Sequence, residues 1–370
     1  MEFRSGPVES VVVNREFWRG KRVLLTGHTG FKGSWLSLWL HALGAEVVGY
    51  ALPPTTEPNL YAVARVEEGL TSVLGDVRDF NELYNVLVAH RPEIVIHMAA
   101  QALVRYSYDH PVETYETNVM GTVNVLEAIR QVPGVRAVLC VTSDKCYENL
   151  ETKRPYVESD RMGGHDPYSS SKGCSELVAS TYRRCFFAPE VTGSQGVALA
   201  TARAGNVIGG GDWSADRLIA DIMAAYLNNE PPLVRNPQAV RPWQYVLDPL
   251  SGYLSLVERL WEVGDSYTGA WNFGPDLADC KPVEWVVERI HEIWGAGPGW
   301  RQAERAGAHE AGLLFLNTDK ARSKLGWSGK LTLAQALEWT VEWYRGYGRG
   351  DDMAELTREQ ITRHDGLVVV

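Results

Sequence analysis

Tyr168-Ser169-Ser170-Ser171-Lys172 places a phenol and an ammonium four residues apart. On a helix that spacing shares one face, and a nearby cation favours the phenolate. Tyrosine is almost wholly protonated at neutral pH, so Lys172 and a further positive charge are what would make Tyr168 a working base. A second reactive stretch is Val141-Thr142-Ser143-Asp144-Lys145-Cys146-Tyr147. Ser143 can hydrogen-bond a substrate oxygen beside Tyr168. Tyr168 with Ser143 beside it could take a hydroxyl proton from a substrate.

The elements around them predict what they work on. Val23–Thr26 reads as a short strand entering Gly27-His28-Thr29-Gly30-Phe31-Lys32-Gly33, and a helix rich in Trp and Leu follows until Gly44. Strand, glycine turn and helix N-terminus make an anion cradle. Gly27 permits the turn, Gly30 admits a pyrophosphate to the backbone, and Gly33 lets the helix pack closely. The loop Gly27, Thr29, Gly30, Phe31, Lys32 and Gly33 is therefore expected to bind a dinucleotide. With a nicotinamide present, Ser143, Tyr168 and Lys172 become a hydride-transfer centre, Tyr168 taking the hydroxyl proton as the carbon's hydride leaves.

Apolar segments at Val23–Thr26, Ala45–Ala51, Leu70–Leu74, Ile94–His97, Ala137–Val141 and Val197–Arg203 alternate with helical stretches. That pattern predicts an α/β fold with a doubly wound parallel sheet, and ligands beyond the carboxyl ends of its strands. Asp76 and Val77 after the third strand, and Ala99, Ala100 and Gln101 after the fourth, join the expected cofactor contacts; Asp76 could accept from an adenine amino group or cap a helix. The second strand ends in Val48-Gly49-Tyr50-Ala51-Leu52, without the acid that binds a ribose 2′-hydroxyl or an Arg that welcomes a 2′-phosphate. NAD and NADP stay open on these residues. The lack of a basic cluster favours NAD, while Lys32 keeps the alternative.

The chain has 370 residues, enough for two lobes. We expect a loose extension over 1–16, a dinucleotide-binding domain over 17–205, and a smaller, interleaved substrate lobe over 206–370 that returns to the sheet near 240–275, with Trp271-Asn272-Phe273 as a late strand. Five cysteines without C-x-x-C spacing argue against a disulfide framework and a zinc site, so no metal is expected, and a reducing cytoplasm fits. A net charge of −10 disfavours nucleic acid, and no apolar run is long enough for a membrane helix.

The Gly27-x-x-Gly30-x-x-Gly33 loop, Ser143, Tyr168-x-x-x-Lys172 and Lys324-Leu325-Gly326-Trp327 resemble the extended short-chain dehydrogenase/reductases that act on nucleotide sugars. The likeness runs over nearly the whole chain. Within that family, Thr26 to Trp35, Ser143-Asp144-Lys145 and the run from Arg203 to Trp213 resemble the 4,6-dehydratases that use CDP-glucose. Most related dehydratases carry Asp-Glu where this chain has Asp144-Lys145, and simple 4-epimerases lack the pair.

The resemblance implies oxidation at C4, loss of water across C5 and C6, and reduction at C6, with NAD ending unchanged. Asp144 would be the acid for the C6 hydroxyl and Lys145 the C5 base, although the neighbouring carboxylate favours the charged lysine. It further implies diphosphate contacts from Asn206, Arg217 and Arg241, a nucleobase contact from His309, and a homodimer formed by helices near Glu113–Arg130 and Tyr168–Cys185. The alternatives are another nucleotide-sugar dehydratase, a 4-epimerase, an NADP-dependent sugar reductase or, in a different class, a dinucleotide sensor without turnover.

Overall fold

The computed structural model describes residues 13–192, 196–295, 297–303 and 312–367. The strands in chain order are β1 (Arg22–Thr26), β2 (Glu46–Ala51), β3 (Thr71–Leu74), β4 (Ile94–His97), β5 (Ala137–Val141), β6 (Ala198–Ala204), β7 (Asn206–Ile208), β8 (Leu233–Val234), β9 (Val240–Tyr245), β10 (Gly269–Phe273), β11 (Cys280–Pro282) and β12 (Arg301–Gln302). Seven of them form one parallel sheet in the order β10-β6-β5-β4-β1-β2-β3. The strand order reverses between β1 and β4, which opens a crevice at their carboxyl ends.

Alternate residues of the central strands feed two cores, one on each face. Val23, Leu25, Ile94, Ile96 and Leu139 pack under the helices Phe31–Leu43 and Leu247–Glu262. Leu24, Val95, Val138 and Leu199 pack under Phe80–His90 and Gly121–Gln131. Cover on both faces explains the near-continuous apolar runs in the sequence.

The two long helices expected for a dimer are each interrupted. Pro111–Tyr115 and Gly121–Gln131 join through a π turn at Glu116–Met120, and Pro167–Tyr182 runs into another at Arg183–Phe187. A three-stranded sheet, β11-β9-β7, stands beyond the end of β6. After β9 the chain returns as the helix Leu247–Glu262 and then β10, which pairs Trp271 with Ala202 of β6.

Residues 13–16 of the expected extension are packed against the protein. Val13 is buried, Asn14 caps the short helix Arg15–Trp18, and its N–H donates to Glu258 Oε1 at 2.9 Å. Trp18, fully buried, donates to the same oxygen at 2.7 Å. An indole with a carboxylate to bond has reason to dock rather than trail in solvent.

Candidate active site

The strand ends and the strands β7 and β9 border a cavity of about 1330 Å³, and the glycine turn, the Ser143 turn and Tyr168 all face it. At the glycine turn the backbone fits a bound diphosphate. Gly27 has φ +80°, and a Cβ there would lie 2.8 Å from the Ala99 nitrogen. A Cβ on Gly33 would lie 2.0 Å from the Gly27 carbonyl oxygen, so only glycine lets the helix start this close to the turn. Gly30 is the N-cap residue and no side chain caps this helix, which leaves its first amides for an anion.

Thr29, Phe31, Asp76, Val77, Ala99, Ala100 and Gln101 all line the cavity. The Asp76 carboxylate is already engaged: Oδ1 accepts the Arg78 N–H at 2.9 Å, and Oδ2 accepts from the guanidinium at 2.8 and 2.6 Å. It caps no helix; Asp79 caps Phe80–His90 instead. Lining residues 51–56, 59 and 60, at the end of β2, include no Lys or Arg.

Lys32 does not serve that end. Its Nζ donates to the Tyr253 hydroxyl at 3.0 Å. Burial pushes its ammonium down to about 7, Lys172 and Arg217 add repulsion, and Asp144 opposes them. Lys32 therefore belongs to the reacting end of the cavity, away from where a 2′-phosphate would need it.

At that end β5 delivers the turn Asp144–Cys146, with Ser143 as its N-cap. The Ser143 hydroxyl donates to Asp144 Oδ1 at 3.0 Å and accepts the Lys145 N–H at 3.2 Å. Asp144 is buried, while Lys145 is one-third exposed with Nζ 4.0 Å from Asp144 Oδ1. Asp166 caps the helix that starts at Pro167, so Tyr168 lies in its first turn. Burial pushes the Tyr168 hydroxyl up to about 12, while the hydrogen bond with Ser143 and the Arg217 charge pull the other way. Lys172 Nζ is turned toward the Val141 carbonyl at 3.5 Å, and burial pushes it down to about 8. Sharing a helix face with Lys172 has not made Tyr168 acidic, because desolvation outweighs the Ser143 hydrogen bond and the Arg217 charge.

Arg217 also lines this region, its guanidinium donating to Asp212 Oδ2 at 2.9 Å. Asn206, on β7, and Arg241, on β9, lie on the wall made by the second sheet. The Asn206 side-chain carbonyl is buried without a hydrogen-bond partner among the described residues. Arg241 donates to the carbonyls of Val240 and Gly312 at 3.1 and 3.2 Å. His309 lies outside the described residues.

Sequence reasoning missed Asn118. Its amide accepts from the Gln101 N–H at 2.9 Å, and donates to the Gln101 carbonyl at 3.0 Å and to Ser171 at 2.8 Å. It thus ties the loop after β4 to the helix of Tyr168. A buried Asn midway along a helix was the available signal. Thr26 was missed too: its hydroxyl accepts the N–H groups of Met98 and Ala99, both at 3.1 Å, and so pins the crevice between β1 and β4.

The model for the GDP-mannose 4,6 dehydratase family matches residues 24–340. A CDP-glucose 4,6-dehydratase of Salmonella typhimurium is 49% identical over 351 residues, covering 95% of this chain and 98% of that protein. A dTDP-glucose 4,6-dehydratase of Xanthomonas campestris is 26% identical, over 87% of this chain and 92% of its own. Among solved structures, a UDP-glucose 4-epimerase of Thermus thermophilus in complex with NAD superposes with TM-score 0.75 at 25% identity, covering 88% of this chain and 99% of that one. A dTDP-glucose 4,6-dehydratase of Bacillus anthracis in complex with NAD gives TM-score 0.73 at 22% identity, covering 90% and 100%, a likeness of fold. On the family model and the near full-length relative, the chain belongs to the GDP-mannose 4,6 dehydratase family of extended short-chain dehydrogenase/reductases.

Proposed function

We propose that this protein converts CDP-glucose to CDP-4-dehydro-6-deoxyglucose and water. The observation that carries the reaction type is the pair Asp144 and Lys145, 4.0 Å apart and in one cavity with Ser143 and Tyr168. An epimerase has no need of a second acid and base. The cytidine preference is supported by the 49% identity to a CDP-glucose enzyme.

The glycine turn with Asp76, Val77, Ala99, Ala100, Gln101, Tyr168 and Lys172 would hold NAD, which would supply the hydride acceptor for C4 and the hydride donor for C6. The rest falls to side chains of this chain. Ser143 hydrogen-bonds the C4 oxygen, and Tyr168 Oη takes the C4 hydroxyl proton with the positive charge of Lys172 close by. A C4 ketone acidifies the C5 proton, which Lys145 Nζ removes. Asp144 gives a proton to the C6 hydroxyl, which leaves as water, and Lys145 Nζ gives its proton back to C5 as C6 is reduced. Asn206, Arg217 and Arg241 hold the diphosphate, for which a guanidinium fork is suited.

Purified protein with NAD is offered CDP-glucose and, separately, the UDP-, GDP- and dTDP-sugars. A 4-keto-6-deoxy product from CDP-glucose alone, with no net NADH, is the expected result. An epimer, or lasting consumption of cofactor, would contradict it.

The same reading includes a homodimer. Val112, Met120, Leu177 and Phe186 are exposed apolar side chains on the two interrupted helices. A concentration-independent monomer in sedimentation would dispose of it. We place the protein in the cytoplasm: its five cysteines are all free, and among the described residues no helix is long and apolar enough to cross a membrane.

A further inference from the structure

Behind the reacting centre lies a buried charge pair that the proposed chemistry does not use. Arg203, on β6, donates to Glu176 Oε2 at 2.7 Å, and both side chains are almost wholly buried, at 3% and 5% exposed. The same carboxylate accepts from Thr142 at 2.5 Å and Thr201 at 2.8 Å. The other arm of Arg203 donates to the Tyr147 hydroxyl at 2.7 Å and to the Glu158 carbonyl at 3.1 Å. Tyr147 in turn donates to Asn272 Oδ1 of β10 at 2.7 Å. One ion pair thus touches both residues that bracket the turn of Asp144 and Lys145: Thr142 through Glu176 and Tyr147 through Arg203. Glu176 also follows Lys172 by one helical turn on the same face.

We propose that Arg203 and Glu176 are positioning residues. Together they fix the Ser143–Tyr147 turn, and Glu176 supplies the negative charge that keeps the buried Lys172 protonated. The second half rests on the role given above to Lys172.

A buried ion pair is weak support for stability alone, since its desolvation cost offsets the attraction. Fixing reactive groups is a use that geometry can reward. The groups facing Lys172 are Cys140 on β5, Cys146 on the turn, His97 on β4, Lys32 on the Phe31–Leu43 helix, and Glu176 on its own helix. Burial pushes both thiols up and His97 down to about 3, so all three are neutral near pH 7. Burial also pushes Glu176 up, but the Arg203 charge and the hydrogen bonds outweigh it and leave the carboxyl below its ordinary value. Glu176 is the anion of that set.

The test titrates the Lys172 ammonium by NMR in protein labelled with 15N-lysine, the signal being identified by its loss in Lys172→Arg. In Glu176→Gln the titration should move down by about one pH unit, and Glu176→Asp, which keeps the charge but withdraws it by one methylene, should move it down by less. An unmoved titration in a folded Glu176→Gln would overturn the charge role. No substrate is present, so an error in the nucleotide sugar would leave this result standing.

Tyr147→Phe tests the positioning half with little change of shape. kcat for the nucleotide sugar should fall by about 10- to 100-fold, with KM and the Lys172 titration unchanged. Full turnover in Tyr147→Phe would refute that half. Should Glu176→Gln fail to fold, the Asp variant still decides: a Lys172 titration lowered as the carboxylate withdraws supports the charge role, and one at or above the parent's contradicts it.

Discussion

Burial holds the Tyr168 proton, and what opposes burial is the hydrogen bond with Ser143 and the charge of Arg217. A cationic nicotinamide adds one more positive charge, which makes Tyr168 a base suited to acting only with ligands in place. Tyr168→Phe should therefore lose turnover by about 10²- to 10⁴-fold while still binding the nucleotide sugar. Lys145→Met separates the two proton transfers. It should abolish dehydration to a similar extent, and with it the exchange of the C5 proton for solvent deuterium, followed by mass spectrometry of recovered substrate. Full dehydratase turnover in Lys145→Met would remove that residue from the mechanism. That Tyr168 and Lys145 face one cavity was legible, Tyr168 from residue type and spacing and Lys145 from the family resemblance. The direction of Lys32 was not, since a position in a glycine turn fixes backbone and says little of where a long side chain goes.

Among the elements, the strands were the most legible. β1, β4, β5 and β6 are buried almost throughout and stand out as apolar runs, and β1 to β6 fall within about a residue of their expected limits. The π turns at Glu116–Met120 and Arg183–Phe187 were not legible, because a slipped hydrogen bond leaves no mark in residue type. Asn118 escaped for a related reason: its value lies in contacts between a loop and a helix far apart in sequence. At the glycine turn the steric demand is direct. In Gly33→Ala the new methyl group meets the Gly27 carbonyl, so the helix must withdraw, and NAD affinity measured by calorimetry should fall by at least about tenfold. Unchanged affinity would mean the cofactor does not rest on that turn.

Across the whole molecule, the first described residues are bound to the helix Leu247–Glu262 through Glu258, whose carboxyl burial pushes up to about 7. A carboxyl raised in the folded state binds a proton more tightly than in the unfolded chain. Its protonation therefore stabilises the fold at low pH, and that stability is lost as pH rises from the ordinary glutamate value near 4.5 through about 7. Glu258→Gln keeps a hydrogen-bond acceptor and removes the charge. Its melting temperature relative to the parent should rise between pH 5 and pH 8, and a constant difference would show that Glu258 does not titrate there. The sequence left this docking unseen, since residues 13–18 have neither length nor periodicity and their anchor lies some 240 positions away.

The internal return of hydride is the centre of the account, and CDP-glucose carrying deuterium at C4 tests it most directly. Incubated with the protein and unlabelled NAD, it should give a 4-keto product with deuterium at C6 and no net NADH. Deuterium still at C4 of an epimer, or left in reduced cofactor, would contradict it.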